Sequence, residues 1–346
     1  MNKIEIIALT LIFSILFSLY LVYTIPPAED YNPENPEWNG LTSLKQQTNT
    51  AEITNVKQLK QIANPKQTTI LILGAEKPYT SEETQTIKEI LEKGATILVA
   101  DDFGQANTLL EQMEIPCKFT QKMLIDPVFY YKDPKLSIIL NIKNTTWTKN
   151  IEQLTLNYAT TLNITGSEIE ILANTSQYSY LDINMNEQQD PEDPTGPQPI
   201  LVQTKVGEGT LILLSDPSIF INVMINKANN TQLLKNISEG RKTYLDISHY
   251  NLTLHTQLRT AIRVTLNYVY TPEIKYTIVT LTTVAAIYRV GKTRKPERKE
   301  EREGEKEIEK ILKKHPDWDR KTLELLLKWR GKFVEETIQN TGENTR

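Results

Sequence analysis

The chain opens on an unbroken apolar stretch. Residues 6–25 are apolar or hydroxylated and carry no charge, and at about 1.5 Å per residue such a stretch spans the roughly 30 Å hydrocarbon layer of a membrane. Lys3 stands before it. Pro26 and Pro27 follow, then Glu29, Asp30, Glu34 and Glu37, with no Lys or Arg before Lys45. This asymmetry predicts a cytoplasmic N-terminus at 1–5, a transmembrane helix at 6–25 and an extracytoplasmic location for what comes next. The stretch is longer than a signal-peptide core and lacks a small-x-small cleavage pattern behind it, which favours an uncleaved anchor. A second apolar segment, 274–290, is bracketed by Lys275 and Arg289. Lys292, Arg294, Lys295, Arg298 and Lys299 follow it. Its length also suits a buried helix or strand, but the basic flank predicts a second span that returns the chain inside.

Between the two segments the pattern changes twice. Residues 26–66 are rich in Pro and Asn and read as a stalk with one short helix near 52–63. From 67 to 273 the pattern is that of an α/β domain. Residues 68–73 form a compact β-branched run ending at Gly74, as expected of a strand buried on both faces. Thr80-Ser81-Glu82-Glu83 is a capping box opening a helix whose apolar stripe is Ile87, Ile90 and Leu91, and Gly94 ends it. Residues 95–100 are the next strand and 106–114 the next helix. A strand–helix–strand unit of this kind implies a parallel sheet. Further strands are predicted at 137–142, 153–156, 168–172, 200–205, 210–214 and 244–247. The turn Val206-Gly207-Glu208-Gly209 joins two of these into a hairpin. Ser215-Asp216-Pro217-Ser218 is predicted to cap a helix over 219–225, and 254–270 to form a helix leading toward the membrane.

Composition narrows the classes. The 346 residues hold 39 basic and 43 acidic side chains, a formal net charge of −4, which argues against nucleic acid as a partner. One cysteine, Cys117, excludes an internal disulfide and a cysteine zinc cluster, and three histidines leave little for a His-rich metal site. Six Asn-x-Ser/Thr sequons, at Asn144, Asn163, Asn174, Asn229, Asn236 and Asn251, all fall between the two apolar segments. They agree with an outer, glycosylated domain.

Four motifs recur in order: Ala100-Asp101-Asp102-Phe103-Gly104 with Asn107; Asn157 to Leu162; Leu181 to Asn186 with Pro191 to Pro197; and Ser215 to Asn222. Together, over about residues 67–250, they resemble an uncharacterised domain-of-unknown-function family of prokaryotic, mainly archaeal, membrane-anchored proteins. The domain of that family is similar to the GldG and intraflagellar-transport type of glutamine-amidotransferase-like fold. The resemblance implies a Rossmann-like sheet domain on the outer face of the cell. It also implies partners of the MoxR-type ATPase and von Willebrand-A-like kinds, and it brings no established activity.

The candidate chemistry is sparse. Cys117 lies in Ile115-Pro116-Cys117-Lys118 behind a predicted helix, the wrong place for a nucleophile on a strand-to-helix turn. Asp101 and Asp102 end one predicted strand and Ser215 and Asp216 another. Ligands of open α/β sheets bind at such ends, so these four with Asn107 and Ser218 are the candidate ligand-binding set. An acid-lined crevice suits a cation or a polyol, and the absence of a Gly-rich phosphate loop disfavours nucleotides. Each Asp also has a plainer role as a cap or turn residue. Asp182, Asn184, Asn186, Gln188, Asp190 and Asp193 stand at the spacing of a calcium loop, so Ca²⁺ is the one candidate cofactor. Glu187 replaces the glycine of its sharp turn, and Asp193 the usual glutamate. The plainer reading is an acidic surface turn.

Residues 291–346 read as a cytoplasmic, charged helical tail. His315-Pro316 breaks it, and Asp319 caps a helix to about residue 335 that buries Leu323, Leu326, Leu327 and Trp329. These patterns together predict a membrane-anchored, non-enzymatic envelope protein. Its outer domain binds a ligand or protein within an ATPase-associated assembly, and its lipid contacts come from the two spans. Two other readings stay open: an extracytoplasmic hydrolase using Ser215, Asp216 and His249 with Asp246, and a calcium-stabilised structural module.

Overall fold

The structure, a computed structural model, describes residues 3–330 apart from Arg294. In chain order its elements are α1 (Lys3–Thr24), α2 (Thr42–Thr48), β1 (Ala51–Ile53), β2 (Thr68–Leu73), α3 (Ser81–Glu92), β3 (Thr96–Ala100), α4 (Ala106–Gln112), β4 (Cys117–Phe119), β5 (Met123–Ile125), β6 (Ile138–Ile139), β7 (Asn141–Ile142), β8 (Leu154–Thr155), β9 (Leu162–Ile164), β10 (Glu170–Asn174), β11 (Tyr180–Asp182), β12 (Pro199–Val206), β13 (Gly209–Leu214), α5 (Asn230–Ser238), β14 (Lys242–Asp246), α6 (Leu254–Val269), α7 (Pro272–Thr293) and α8 (Lys295–Lys314). Two compact units divide within α6, at Ile262/Arg263.

In the first unit an eight-stranded mixed sheet runs in the order β1-β14-β2-β3-β13-β12-β10-β7. The first five strands are parallel and the remaining pairings antiparallel. Strand alternation splits the core in two. Leu71, Leu73, Leu98, Ala100, Ile212 and Leu214 belong to one apolar cluster, and Ile70, Ile72, Ile97, Val99, Leu211 and Leu213 to the other. Both faces are covered, which is why every residue of β2, β3 and β13 is buried and why the sequence shows runs there rather than alternation. The capping box of α3 forms as predicted: Thr80 caps Glu83 N, and Glu83 reaches back to Thr80.

Two expectations change. Residues 26–66 are part of the globular unit rather than a stalk. Leu41 and Leu44 are fully buried, and β1 pairs with β14 at the sheet edge. Polar contacts hold this segment down. Asn222 Nδ2 donates to Asn35 O (3.1 Å) and Glu37 O (2.6 Å), and its Oδ1 accepts from Ser43 N (2.9 Å) and Thr42 Oγ1 (3.1 Å). The same contacts alter the helix expected at 219–225. Only a 3-10 turn forms, over Pro217–Phe220, because Ile221 turns extended and Asn222 N bonds Gly40 O at 2.9 Å.

No residue of α1 is buried. Among the described residues it is the one helix long and apolar enough to cross a membrane, and by position it also suits a signal sequence. The segment predicted as a second span lies in α7, a helix of equal length (22 residues) that does not reach the same apolarity. Thr277, Thr280, Thr282 and Thr283 there donate their hydroxyls to carbonyls one turn back. In the second unit, Arg330 pairs with Glu307 (2.9 Å) and His315 stacks on Trp318. Asp319 caps Thr322 N as expected. Leu323 is buried and Leu327 half-buried, but Leu326 and Trp329 are exposed. The part of the predicted helix beyond 330 lies outside the described residues.

Candidate functional site

The parallel strands β14, β2, β3 and β13 end along one edge of the sheet, and the pleat decides what each terminal side chain meets. Asp102 and Asp216 continue the face of Ala100 and Leu214. Asp101 and Ser215 continue the face of Val99 and Leu213. The six predicted residues therefore do not line one crevice. Asp101, fully buried, accepts from Asp102 N (3.0 Å), Gly104 N (3.1 Å) and Ala106 N (2.8 Å), and so fixes the turn into α4. Asn107 exchanges both hydrogen bonds with the backbone of Phe119, each 2.9 Å, and docks β4. Ser215 is fully buried and its hydroxyl has no hydrogen-bond partner.

On the other face a smaller group converges. Asp216 accepts from Asn157 N (2.6 Å) and Ser218 N (2.7 Å), and Ser218 Oγ lies 2.8 Å from Tyr31 OH. Half-buried Asp102 accepts from Phe103 N (2.6 Å). Burial, reinforced by the Asp102 charge, pushes Asp216 and the Tyr31 phenol well above their usual ranges, and burial raises Asp102 as well. Tyr31 comes from the segment expected to be a stalk, and no local pattern places it here. Its ring lies over Gly74, whose missing side chain leaves the space, a Cβ there standing 2.8 Å from Tyr31 Cε2.

Burial outweighs the three N–H donors at Asp101 and raises it to about 7. A carboxyl raised on folding contributes stability that is full below about pH 4 and is lost as pH climbs through about 7. Asp101→Asn removes that titration. The variant starts less stable, because its Nδ2 faces the Ala106 N–H, but the melting-temperature gap to the parent is expected to narrow between about pH 5 and pH 8. A gap constant across that range in thermal scans refutes the assignment.

A second cluster sits where β14 and β2 end. His249, 4% exposed, places Nδ1 3.2 Å from Asp246 Oδ2 and 2.9 Å from Ser248 Oγ, and Nε2 3.6 Å from Glu83 Oε2. Tyr79 stacks on the imidazole with ring centroids 3.7 Å apart, and its hydroxyl reaches Asp246 Oδ2 at 3.3 Å. Burial, then Asp246, lifts the Tyr79 phenol well above its usual range. Burial works to raise Glu83, but hydrogen bonds from Thr80 and the neighbouring His249 prevail and lower it. The sequence offered Asp246 and His249 as partners, and they meet. Tyr79 and Glu83 were missed, because only the placement of α3 brings them in. Ser215 is three strands away across the sheet order, ~14 Å at about 4.8 Å per strand, so a Ser215–His249–Asp246 relay is not assembled.

The 182–193 loop closes on itself. Asp182 accepts from Asn186 N (3.2 Å) and Glu187 N (2.8 Å), and Asp193 from Ile183 N (3.0 Å) and Asp190 N (2.8 Å). Asn184 and Asn186 both donate to Asp190 Oδ2 at 2.8 Å. Glu187 takes the left-handed conformation (φ +61°) in place of glycine. Gln188 stays exposed. Among the described residues no three His, Cys, Asp or Glu side chains come together to hold a metal.

Of the sequons, Asn144, Asn163 and Asn251 are exposed, and Asn174 and Asn229 half-buried. Asn236 is buried, its Nδ2 donating to Trp147 O and Lys149 O (2.9 Å each), so a glycan on that nitrogen is incompatible with the fold. Cys117 is buried in β4, and burial pushes its thiol up to about 12, which makes it unreactive at neutral pH.

A family described as "Domain of unknown function (DUF4350)" matches residues 33–237. The match begins well before residue 67, in the segment that packs Leu41 and Leu44 into the core. No curated protein matches the chain significantly. Among solved structures, the mmIFT52 N-terminal domain is similar at 17% identity and a TM-score of 0.42, over 54% of this chain and 81% of that one. A cytoplasmic protein from Salmonella typhimurium is similar at 14% identity and a TM-score of 0.34, over 55% and 76%. A ThuA-like protein from Bacteroides uniformis is similar at 14% identity and a TM-score of 0.33, over 54% and 72%. At that level of likeness nothing about activity or ligand passes from them to this chain.

Proposed function

The chain belongs to the family described as "Domain of unknown function (DUF4350)", and from that premise we propose a membrane-tethered, non-catalytic α/β domain that recognises a partner within an envelope assembly. The observation that carries this reading is α1, an apolar helix of 22 residues, none of them buried. A helix like this in water would expose more apolar surface than a soluble monomer tolerates, and a bilayer removes the cost. Charge supplies the orientation. Lys3 stays inside, the acids between Glu29 and Glu37 go outside, and the basic residues from Lys292 onward return inside after a second crossing at 274–290.

Recognition rather than catalysis is favoured by how the strand-end groups are used. Asp101 and Asp216 hold backbone N–H groups, and Asn107 holds Phe119. The serine and histidine of the hydrolase alternative lie beyond the ends of different strands, β13 and β14. In this reading the partners are an ATPase of the MoxR type and a von Willebrand-A-like protein, engaged by the outer domain and the tail, with lipid around the spans.

Deleting residues 2–25 together with 274–290 tests the tether. The full chain is expected to stay with membranes through an alkaline carbonate wash, and the deletion to move to the soluble fraction. Protease added to intact cells is expected to cut the 26–273 portion and spare an epitope at the C-terminus. A full chain released by the wash, or a digested C-terminal epitope with an intact domain, refutes the proposal.

A further inference from the structure

We infer that the face of the domain around the exit of α1, formed by Trp38, Val223, Leu254 and Leu258, rests in the headgroup zone of the same membrane. This inference rests on reading α1 as an anchor. The chain leaves α1 through Pro26-Pro27, and hydrogen bonds then draw two distant segments back to that point. Tyr31 N donates to Asn39 O (3.0 Å), Asn35 Nδ2 to Glu29 O (2.9 Å) and Asn39 Nδ2 to Ala28 O (3.3 Å), which bends the Trp38 loop back onto residues 28–31. From the far end of the first unit, Thr253 donates to Glu29 Oε1 through its N (3.1 Å) and Oγ1 (2.6 Å), and the Thr256 hydroxyl adds a third bond. Arg259 Nε donates to Tyr23 O (3.0 Å) in the last turn of α1, and the guanidinium pairs with Glu34. The Trp38 loop and the first turns of α6 therefore flank the place where the helix ends.

The four apolar side chains there point to solvent rather than to the core: Trp38 is 63% exposed, Leu254 70%, Val223 47% and Leu258 44%. Val223 N donates to Trp38 O (3.1 Å), so these two residues are neighbours. Tryptophan beside aliphatic residues is the composition that settles at the boundary between headgroups and acyl chains. Three of the nearby acids have partners of their own, and Glu37, exposed beside Trp38, keeps a carboxylate at this face. Glu34 pairs with Arg259, Glu29 accepts the two threonine hydroxyls, and Asp30 accepts from Asn39. The face thus suits a zwitterionic lipid surface better than an anionic one. Its consequence is that the domain sits on the bilayer in one orientation instead of swinging on a tether.

The test uses the full chain, with Trp318→Phe and Trp329→Phe, in phosphatidylcholine vesicles whose lipids carry bromine near the glycerol end of the acyl chains. Two tryptophans then remain. Trp147 is buried with its Nε1 bonded to Gln203 Oε1 (2.7 Å), and a Trp38→Phe companion isolates its emission. The Trp38 emission is expected to fall by about half on going from plain to brominated lipid, as for an interfacial indole, and the Trp147 emission to stay unchanged. A chain that floats with the vesicles but whose Trp38 emission is unquenched overturns this inference and leaves the anchor standing. A chain that does not float overturns both.

Discussion

Replacing Asn222 with alanine is expected to lower the unfolding free energy by about 3 kcal/mol, and to loosen residues 30–48 before the sheet gives way. The side chain makes four hydrogen bonds to one segment, at 2.6 to 3.1 Å, two as donor and two as acceptor. At about 1 kcal/mol net for each, with some partners regaining water, the sum is of that order. Asn35, which is fully buried, then loses the donor on its carbonyl, and the loop is left to its own turn bonds, among them Glu37 N to Asn35 Oδ1 and Asn35 Nδ2 to Glu29 O. Denaturant unfolding of the detergent-solubilised chain, with amide exchange read at 30–48, checks both parts. Unchanged exchange there means that burial of Leu41 and Leu44 holds the segment without Asn222. Asn222→Asp is expected to fall in between, because it keeps the acceptor and sets an oxygen against two carbonyls.

Gly209→Ala is expected to cost about 3 kcal/mol or more. The hairpin between β12 and β13 presses against the C-terminal end of α3. A Cβ on Gly209 would stand 2.0 Å from Leu91 O and 2.6 Å from Ala95 O. Both are backbone atoms, fixed by α3 and by the bond from Thr210 N to Ala95 O (3.1 Å), so nothing nearby can rotate away. Either β13 shifts from β3, or the end of α3 unwinds. Gly240→Ala is the contrast. Nothing lies within 4 Å of its added Cβ, and the cost of its left-handed backbone (φ +69°) is expected to be about 1 kcal/mol. Equal losses for the two in thermal unfolding contradict the packing argument.

The central sheet was legible because its signals are local. β2 and β3 are runs buried on both faces, the α3 capping box lies within four residues, and the glycines of the 206–209 turn mark the hairpin. The 26–66 segment was not legible, because its burial depends on Asn35, Tyr31 and Asn222, polar residues without periodicity whose partners lie about 190 positions away. A proline-rich, asparagine-rich composition gives the same appearance to a loose linker and to a folded strap. The candidate site was half legible. The strand-end positions can be read from the sequence, but their grouping turns on odd and even positions counted from the core. That count separates Asp101 from Asp102 and Ser215 from Asp216. The meeting of His249 with Glu83 needed the packing of α3, which no local pattern records.

The two outermost strands of the large sheet have a consequence of their own. β1 has three residues and β7 two. A long bare border would be a template on which another chain could add a strand, the first step toward fibrous aggregates. Borders this short offer only a few open amide and carbonyl groups. Many copies crowded side by side could remain separate molecules without any further element to guard the ends.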